Sequence, residues 1–210
     1  ATEWLFEPLP LIITPPEWES LSAGLIQRAR LLDAILADIY GPQRLLAEHR
    51  LPPVLLHADP RFMRPCRRLD GSGPKHRLVN YAADVVRGPD GSWSVLADHT
   101  GAPTGAGYAL FLRRAMARAL PEAFRSIPVR EIAPFFDHWQ AALRDCAPAG
   151  VGNPRVALLT SGAFAHTYFE QVFLARTLGI TLVEGGDLTV RADGVALKTL
   201  EGLKQVDVLL

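Results

Sequence analysis

Leu21, Leu25, Leu32, Ile35, Leu36 and Ile39 recur at helical spacing and fall mostly on one stripe, the mark of a helix packed along one side. Thr14 followed by Pro15, Pro16 and Glu17 predicts its start, with a capping box and proline in the first turn. Gly41-Pro42 predicts its end. Residues 43–49 suit a short second helix, and 51–73, rich in Pro and Arg, predict largely irregular chain. Further helices are predicted over 108–119, stopping at Pro121, and over 135–146. The small residues and two prolines of 147–154 mark a domain boundary.

Beyond that boundary the pattern becomes βαβ. Residues 155–160 read as a buried strand, Ser161-Gly162 as a turn, and 167–178 as a helix ended by Gly179. Thr181–Glu184 is the next strand. Gly185-Gly186-Asp187 then turns into 188–190, Asp193-Gly194 makes a hairpin to 195–199, and 206–210 is the last strand. Parallel strands joined through a helix require a right-handed crossover. Ligands of such sheets bind beyond the carboxyl ends of the strands, which here carry Thr160-Ser161-Gly162 and Glu184-Gly185-Gly186-Asp187.

Within the first part, ahead of the helix over 108–119, lies a hairpin. Residues 85–87 and 93–96 are β-prone, and Pro89-Asp90-Gly91 fits a three-residue loop with glycine in the left-handed position. Gly88 then faces Ser92, Asp84 lies opposite Leu96, and Asp98 lies opposite Ala82. In that register both carboxylates share one face, about 7–8 Å apart at Cβ, and Val85, Trp93 and Val95 turn to the other. Two acids so close repel unless a cation or proton sits between them, an arrangement suited to Mg²⁺. Acids at strand ends are also commonly just solvated, and a one-residue slip would separate the pair.

Charge is balanced, with 22 basic and 22 acidic residues in 210, so nothing argues for nucleic acid or an anionic membrane as partner. Four arginines crowd 61–68 and read as a solvated loop. Cys66 and Cys146 show no zinc spacing and suit idle thiols in a reduced compartment. With no secretory segment and no apolar run near membrane length, a cytoplasmic location is the expectation. His166 and Glu170 stand four apart, the spacing of a metal pair or, more commonly, of a packing contact. His57 and His76 have no evident partner, and no dinucleotide fingerprint or hydrolase motif is present. A start at Ala1 and an apolar end at VDVLL lead us to expect a piece of a longer chain.

The segments PPEWESLSAGLIQRARLLDAILADIYGPQRLLAE, YAADVVRGPDGSWSVLAD, APTGAGYAL, RALPEAF, TYFEQVFLARTLG and LVEGGDLTV occur in that order. Together they resemble the circularly permuted ATP-grasp proteins of type 2, relatives of glutathionylspermidine-synthase-like ligases. The resemblance implies an α/β fold. Residues 1–147 would be a helical segment plus a permuted catalytic half-lobe, and 148–210 a Rossmann-like βαβ pre-ATP-grasp domain. A lobe that grips adenine and most of the phosphates would follow Leu210.

The implied activity is an ATP- and Mg²⁺-dependent ligase that joins a small-molecule carboxylate to an amine through an acyl phosphate. Asp84 and Asp98 would hold the metal, and Arg87 and Arg113 would be catalytic. Thr104, Gly105, Ser161 and Gly162 would contact the nucleotide, and Glu184 and Asp187 the substrate. Phe111 and Leu112 stand where the family tends to have a Glu-Asn pair, and Ala165 and His166 where Asn and Glu are expected. These departures keep open a second reading, a non-catalytic, degenerate binding or scaffold module.

Overall fold

The computed structural model describes residues 10–68, 76–192 and 194–210. The end of the expected irregular stretch (69–73) and Asp193 of the predicted 193–194 turn lie outside the described residues. The chain divides into two compact units, one running to Pro103 and the other spanning Thr104–Leu210.

In the first unit, α1 (Pro15–Ile39) starts as the sequence predicts. The Glu17 carboxylate accepts from the Thr14 backbone N–H at 2.9 Å and from its hydroxyl at 2.7 Å. At the other end Gly41 is required by space, because a Cβ there would lie 2.6 Å from the Ala37 carbonyl oxygen. Asp38 then accepts from the N–H groups of Arg44 and Leu45 and so caps α2 (Arg44–Ala47). The stretch read as irregular contains α3 (Pro53–His57) and a 3-10 turn at Arg64–Cys66. Proline in the first turn of each is the signal that was outweighed by composition. The arginine cluster is partly tied down: Arg61 pairs with Asp59, and Arg67 donates to the Gly41 carbonyl. His76 meets Asp33 at 2.9 Å, and Asp33 also takes the N–H groups of Arg77 and Leu78. The unit ends in the hairpin β1 (Ala82–Arg87) and β2 (Trp93–His99).

The second unit begins with α4 (Ala106–Ala119). That helix stops before Pro121 as expected, and Pro121 then opens a further, unexpected helix, α5 (Pro121–Ser126), in whose first turn its missing N–H costs nothing. Then follow α6 (Ala133–Asp145), β3 (Val156–Thr160), α7 (Tyr168–Leu178) and β4 (Thr181–Glu184). Gly179, with φ +65°, closes α7 as predicted. A 3-10 turn at Gly185–Asp187 leads into β5 (Leu188–Arg191), β6 (Gly194–Thr199), β7 (Gly202–Val206) and β8 (Val208–Leu209).

Among the described residues, β4, β3 and β8 form a parallel sheet in that order, and β5, β6 and β7 an antiparallel one. The architecture is therefore mixed α/β. The predicted β3–α7–β4 unit is present, but an antiparallel meander follows it in place of further parallel repeats, so the Rossmann-like expectation reduces to that unit. The expected single strand over 206–210 is two strands in two sheets. Asp207 separates them: its carboxylate accepts from the Arg155 N–H at 2.7 Å, and its own N–H donates to the Arg155 carbonyl. Ala157, Val183 and Val206 form the sheet core, with Leu188, Val195 and Leu197 against it.

The two units divide at Pro103, and the helices before and after residues 147–154 pack together in the second of them. Leu110 of α4, Phe136, Trp139 and Leu143 of α6, and Leu174, Ala175 and Leu178 of α7 are all buried, and α7 packs on both α4 and α6. No described helix is long and apolar enough to cross a membrane.

Candidate functional site

The hairpin loop forms as predicted. Gly88 N–H donates to the Ser92 carbonyl at 2.8 Å, Gly91 takes φ +82°, and Asp90 accepts from the Ser92 N–H and hydroxyl. Farther from the loop the register departs from expectation. Val85 pairs with Val95 but Asp84 pairs with Ala97, leaving Leu96 as the extra residue of a β-bulge. Asp98 consequently lies opposite Ala83, not Ala82. Because successive strand residues alternate faces, Asp84 and Asp98 point to opposite faces of the ribbon. The two carboxylates therefore do not face one another across a shared cation position, contrary to expectation. A loop reading could place the turn but not the bulge; Leu96, 70% exposed, gave only an apolar residue in an apolar run.

Each acid has a partner on its own face. Asp98 lies on the face of Tyr81, Ala83 and Trp93, and it accepts from the Tyr81 hydroxyl at 2.6 Å and from Arg28 of α1. Asp84 meets His99 at 2.9 Å on the other face. Arg87 pairs with Glu17 of α1 at 2.5 Å. Two ion pairs of opposite sense therefore tie the hairpin to α1. The Arg28 guanidinium, then the Tyr81 hydroxyl, hold the Asp98 carboxyl below the usual carboxylate range. The Thr14 backbone and hydroxyl do the same for Glu17, aided by Arg87.

These shifts set a pH dependence. A carboxyl that is more acidic folded than unfolded stabilises the fold fully above its unfolded pKa, near 4. That contribution is lost as pH falls through the depressed folded value. The thermal midpoint of the hairpin, read by tryptophan fluorescence, is expected to drop between about pH 5 and pH 2, and Asp98→Asn to flatten that drop.

In the second unit the segment Thr104-Gly105-Ala106-Gly107 opens α4. Gly105 has φ +110°, a conformation open to glycine. The Gly105 and Gly107 N–H groups both donate to one Glu170 oxygen, at 2.7 and 2.9 Å. Glu170 is 1% exposed, and its other oxygen has no partner. A Cβ on Gly107 would meet Glu170 Cγ at 2.8 Å and Leu174 Cγ at 3.2 Å. The Gly105 amide expected to face a nucleotide is thus already donated to a buried carboxylate. Sequence reading missed this role: it paired Glu170 with His166, but His166 precedes the α7 start at Tyr168, so the two do not share a helix face. The glycine spacing of the loop was the available signal for a close neighbour.

The carboxyl ends of β3 and β4 meet, since Thr160 pairs with Glu184. Gly162, with φ +92°, lies against the Glu184 carboxylate, whose oxygen would be 3.1 Å from an added Cβ. Its N–H donates to the Thr160 hydroxyl, which in turn donates to Gln171. Asp187 accepts from the Glu184 N–H at 2.8 Å, and Lys198 donates to the Gly186 carbonyl. Ser161, Gly162, Glu184 and Asp187 are therefore neighbours, as predicted, but a carboxylate beside the Gly162 turn makes that turn a poor seat for a phosphate. Arg113 lies with its guanidinium 5.9 Å from the Phe124 ring centroid, and Phe111 packs edge-on against Phe169 and Phe173.

No three His, Cys, Asp or Glu side chains among the described residues are placed to hold a metal ion. With Asp84 and Asp98 apart and Asp98 paired to Arg28, the expected Mg²⁺ pair does not fit this arrangement.

A parallel β-α-β unit followed by an antiparallel meander, with helices packed around α7, defines a mixed α/β protein. The family described as circularly permuted ATP-grasp type 2 matches residues 10–210, and the chain belongs to it. It is 44% identical over 207 residues to an uncharacterized protein of Mycobacterium tuberculosis, covering 99% of this chain and 23% of the relative. A second uncharacterized protein of that organism is 36% identical over 203 residues, covering 96% and 36%. One from Synechocystis is 35% identical over 201 residues, covering 96% and 42%. The chain thus spans well under half the length of these curated relatives.

Proposed function

We propose that the chain is the N-terminal portion of an ATP-dependent ligase that joins a carboxylate to an amine through an acyl phosphate. Membership of the ATP-grasp family over residues 10–210 carries this reading. ATP supplies the phosphoryl group that turns the carboxylate into an activated acyl donor. What this chain supplies is a place for the other reactant. The exposed Glu184 carboxylate at the β4 end, beside the Ser161-Gly162 turn, suits an ammonium group. Asp187 acts on that place through the backbone, holding the turn after Glu184.

A second reading, a non-catalytic scaffold module, is favoured by a different observation. Arg87 and Asp98 are both tied to α1 by ion pairs, so two of the residues that the resemblance assigns to chemistry serve packing here.

One experiment separates the two. The 210-residue chain alone is expected to release no phosphate from MgATP, because positioning two reactants for attack needs both lobes of a cleft. A longer chain carrying the remaining length of the relatives is expected to bind ATP by calorimetry and to release phosphate when acid and amine are supplied. Failure of the longer chain to bind ATP would favour the scaffold. Phosphate release by the 210 residues alone, abolished by Asp84→Asn, would overturn the two-lobe reading.

A further inference from the structure

We propose that the outer face of α4 and α7 is a docking surface for an acidic amphipathic helix. The apolar half of this face is aromatic. Tyr108 and Phe169 stack with centroids 5.7 Å apart, Phe111 meets Phe169 at 5.3 Å and Phe173 at 6.0 Å, and Phe169 lies 6.4 Å from Phe173. Two of these rings remain open to solvent, Phe111 at 39% and Phe169 at 48% exposure. Large exposed aromatics on adjoining helices are the usual anchors of protein recognition.

The other half of the face is cationic. Arg114 lies over the Phe173 ring, 5.6 Å from its centroid. Arg118 follows Arg114 by four residues on α4, and Arg176 follows Phe173 by three on α7, spacings that continue the same stripes. Both are exposed. The two helices carry Arg113, Arg114, Arg118 and Arg176 against a single acid, Glu170, which is buried beneath the loop before α4. The charge offered to solvent by this pair of helices is therefore wholly positive, although the chain as a whole balances 22 against 22.

The layout selects the occupant. Aromatics lie toward the start of each helix and arginines toward the end, so a complementary partner offers apolar anchors at one end and carboxylates at the other. A helix laid on two helices reads such stripes through side chains at i, i+3 and i+4. Charge complementarity makes that helix acidic and sets its direction. Nucleic acid fits less well, since the chain lacks the general basic excess that tracks a phosphate backbone.

The test uses the 210-residue chain and three fluorescent probes at matched concentrations: a Leu/Glu amphipathic peptide, its Leu/Lys counterpart, and oligouridine. Saturable binding of the Leu/Glu peptide is expected, at least tenfold tighter than of the other two. Phe169→Ala is expected to weaken it by about tenfold, as an anchor residue does. Arg114→Glu with Arg118→Glu, checked for an unchanged circular dichroism spectrum, is expected to transfer the preference to the Leu/Lys peptide. Equal binding of both peptides, tighter binding of oligouridine, no saturable binding, or indifference to both variants would each overturn the proposal. So would self-association of the unliganded chain abolished by Phe169→Ala, which would assign the face to a second copy.

Discussion

Glu170→Ala is expected to destabilise the second unit by about 2–6 kcal/mol, from roughly 1–3 kcal/mol for each of two amides left without an acceptor. The Gly105 and Gly107 N–H groups, the first half-buried and the second buried, both rely on one oxygen of that buried side chain. Glu170→Gln keeps a carbonyl oxygen in the same position and removes a carboxylate whose second oxygen is unpartnered. It is therefore expected to cost much less than alanine. Urea midpoints of the three proteins, followed by circular dichroism, check the order. Equal losses for Gln and Ala would mean that the charge, and not the two hydrogen bonds, holds the loop.

The second large effect concerns where the chain can be cut. A fragment of residues 148–210 is expected to remain unfolded, whereas residues 104–210 are expected to melt cooperatively. The shorter piece lacks α4 and α6, which cover α7. It loses Leu110, Phe136, Trp139 and Leu143, all buried, and the Gln140 side-chain donor to the Leu178 carbonyl at 2.5 Å. Each large apolar side chain removed from a core gives up about 1.5–3 kcal/mol, so the four together approach the whole stability of a small domain. Amide exchange on both fragments would decide it. A protected 148–210 fragment would restore the boundary that composition suggested.

The contrast between those two boundaries shows what the sequence can carry. Helix starts and stops were legible because they are written in neighbouring residues: Thr14 with Glu17, Gly41 before Pro42, Gly179 after Leu178. The tight loop at Pro89-Asp90-Gly91 was legible for the same reason. The bulge at Leu96 was not, because an extra residue in a strand is decided by what packs on each face, here the reach of Arg28 and Tyr81 to Asp98. One unread residue moved Asp98 to the other face and removed the expected cation pair. Likewise the glycines of Thr104-Gly105-Ala106-Gly107 announced a close approach, but only the fold shows that Glu170, 65 residues from Gly105, is what approaches. Local chemistry could be read; long-range partners could not.

The placing of β8 beside β3 has a consequence for the time course of synthesis. Strand β3 is the middle of its sheet, yet one of its neighbours is assembled from Val208 and Leu209, paired with Val156 and Ala157. As the ribosome proceeds, β3 can join β4 as soon as α7 and β4 have emerged, but its opposite edge stays open until the segment some fifty residues downstream arrives. During that interval the nascent chain carries a bare edge of Val156, Ala157 and Leu158, a template for pairing with another chain. The antiparallel meander of β5, β6 and β7, closed by short connections, can form meanwhile without waiting. Its completion brings Asp207 to Arg155, so the last strand is delivered to its slot by a structure already in place, and the slow, non-local step becomes a short local search.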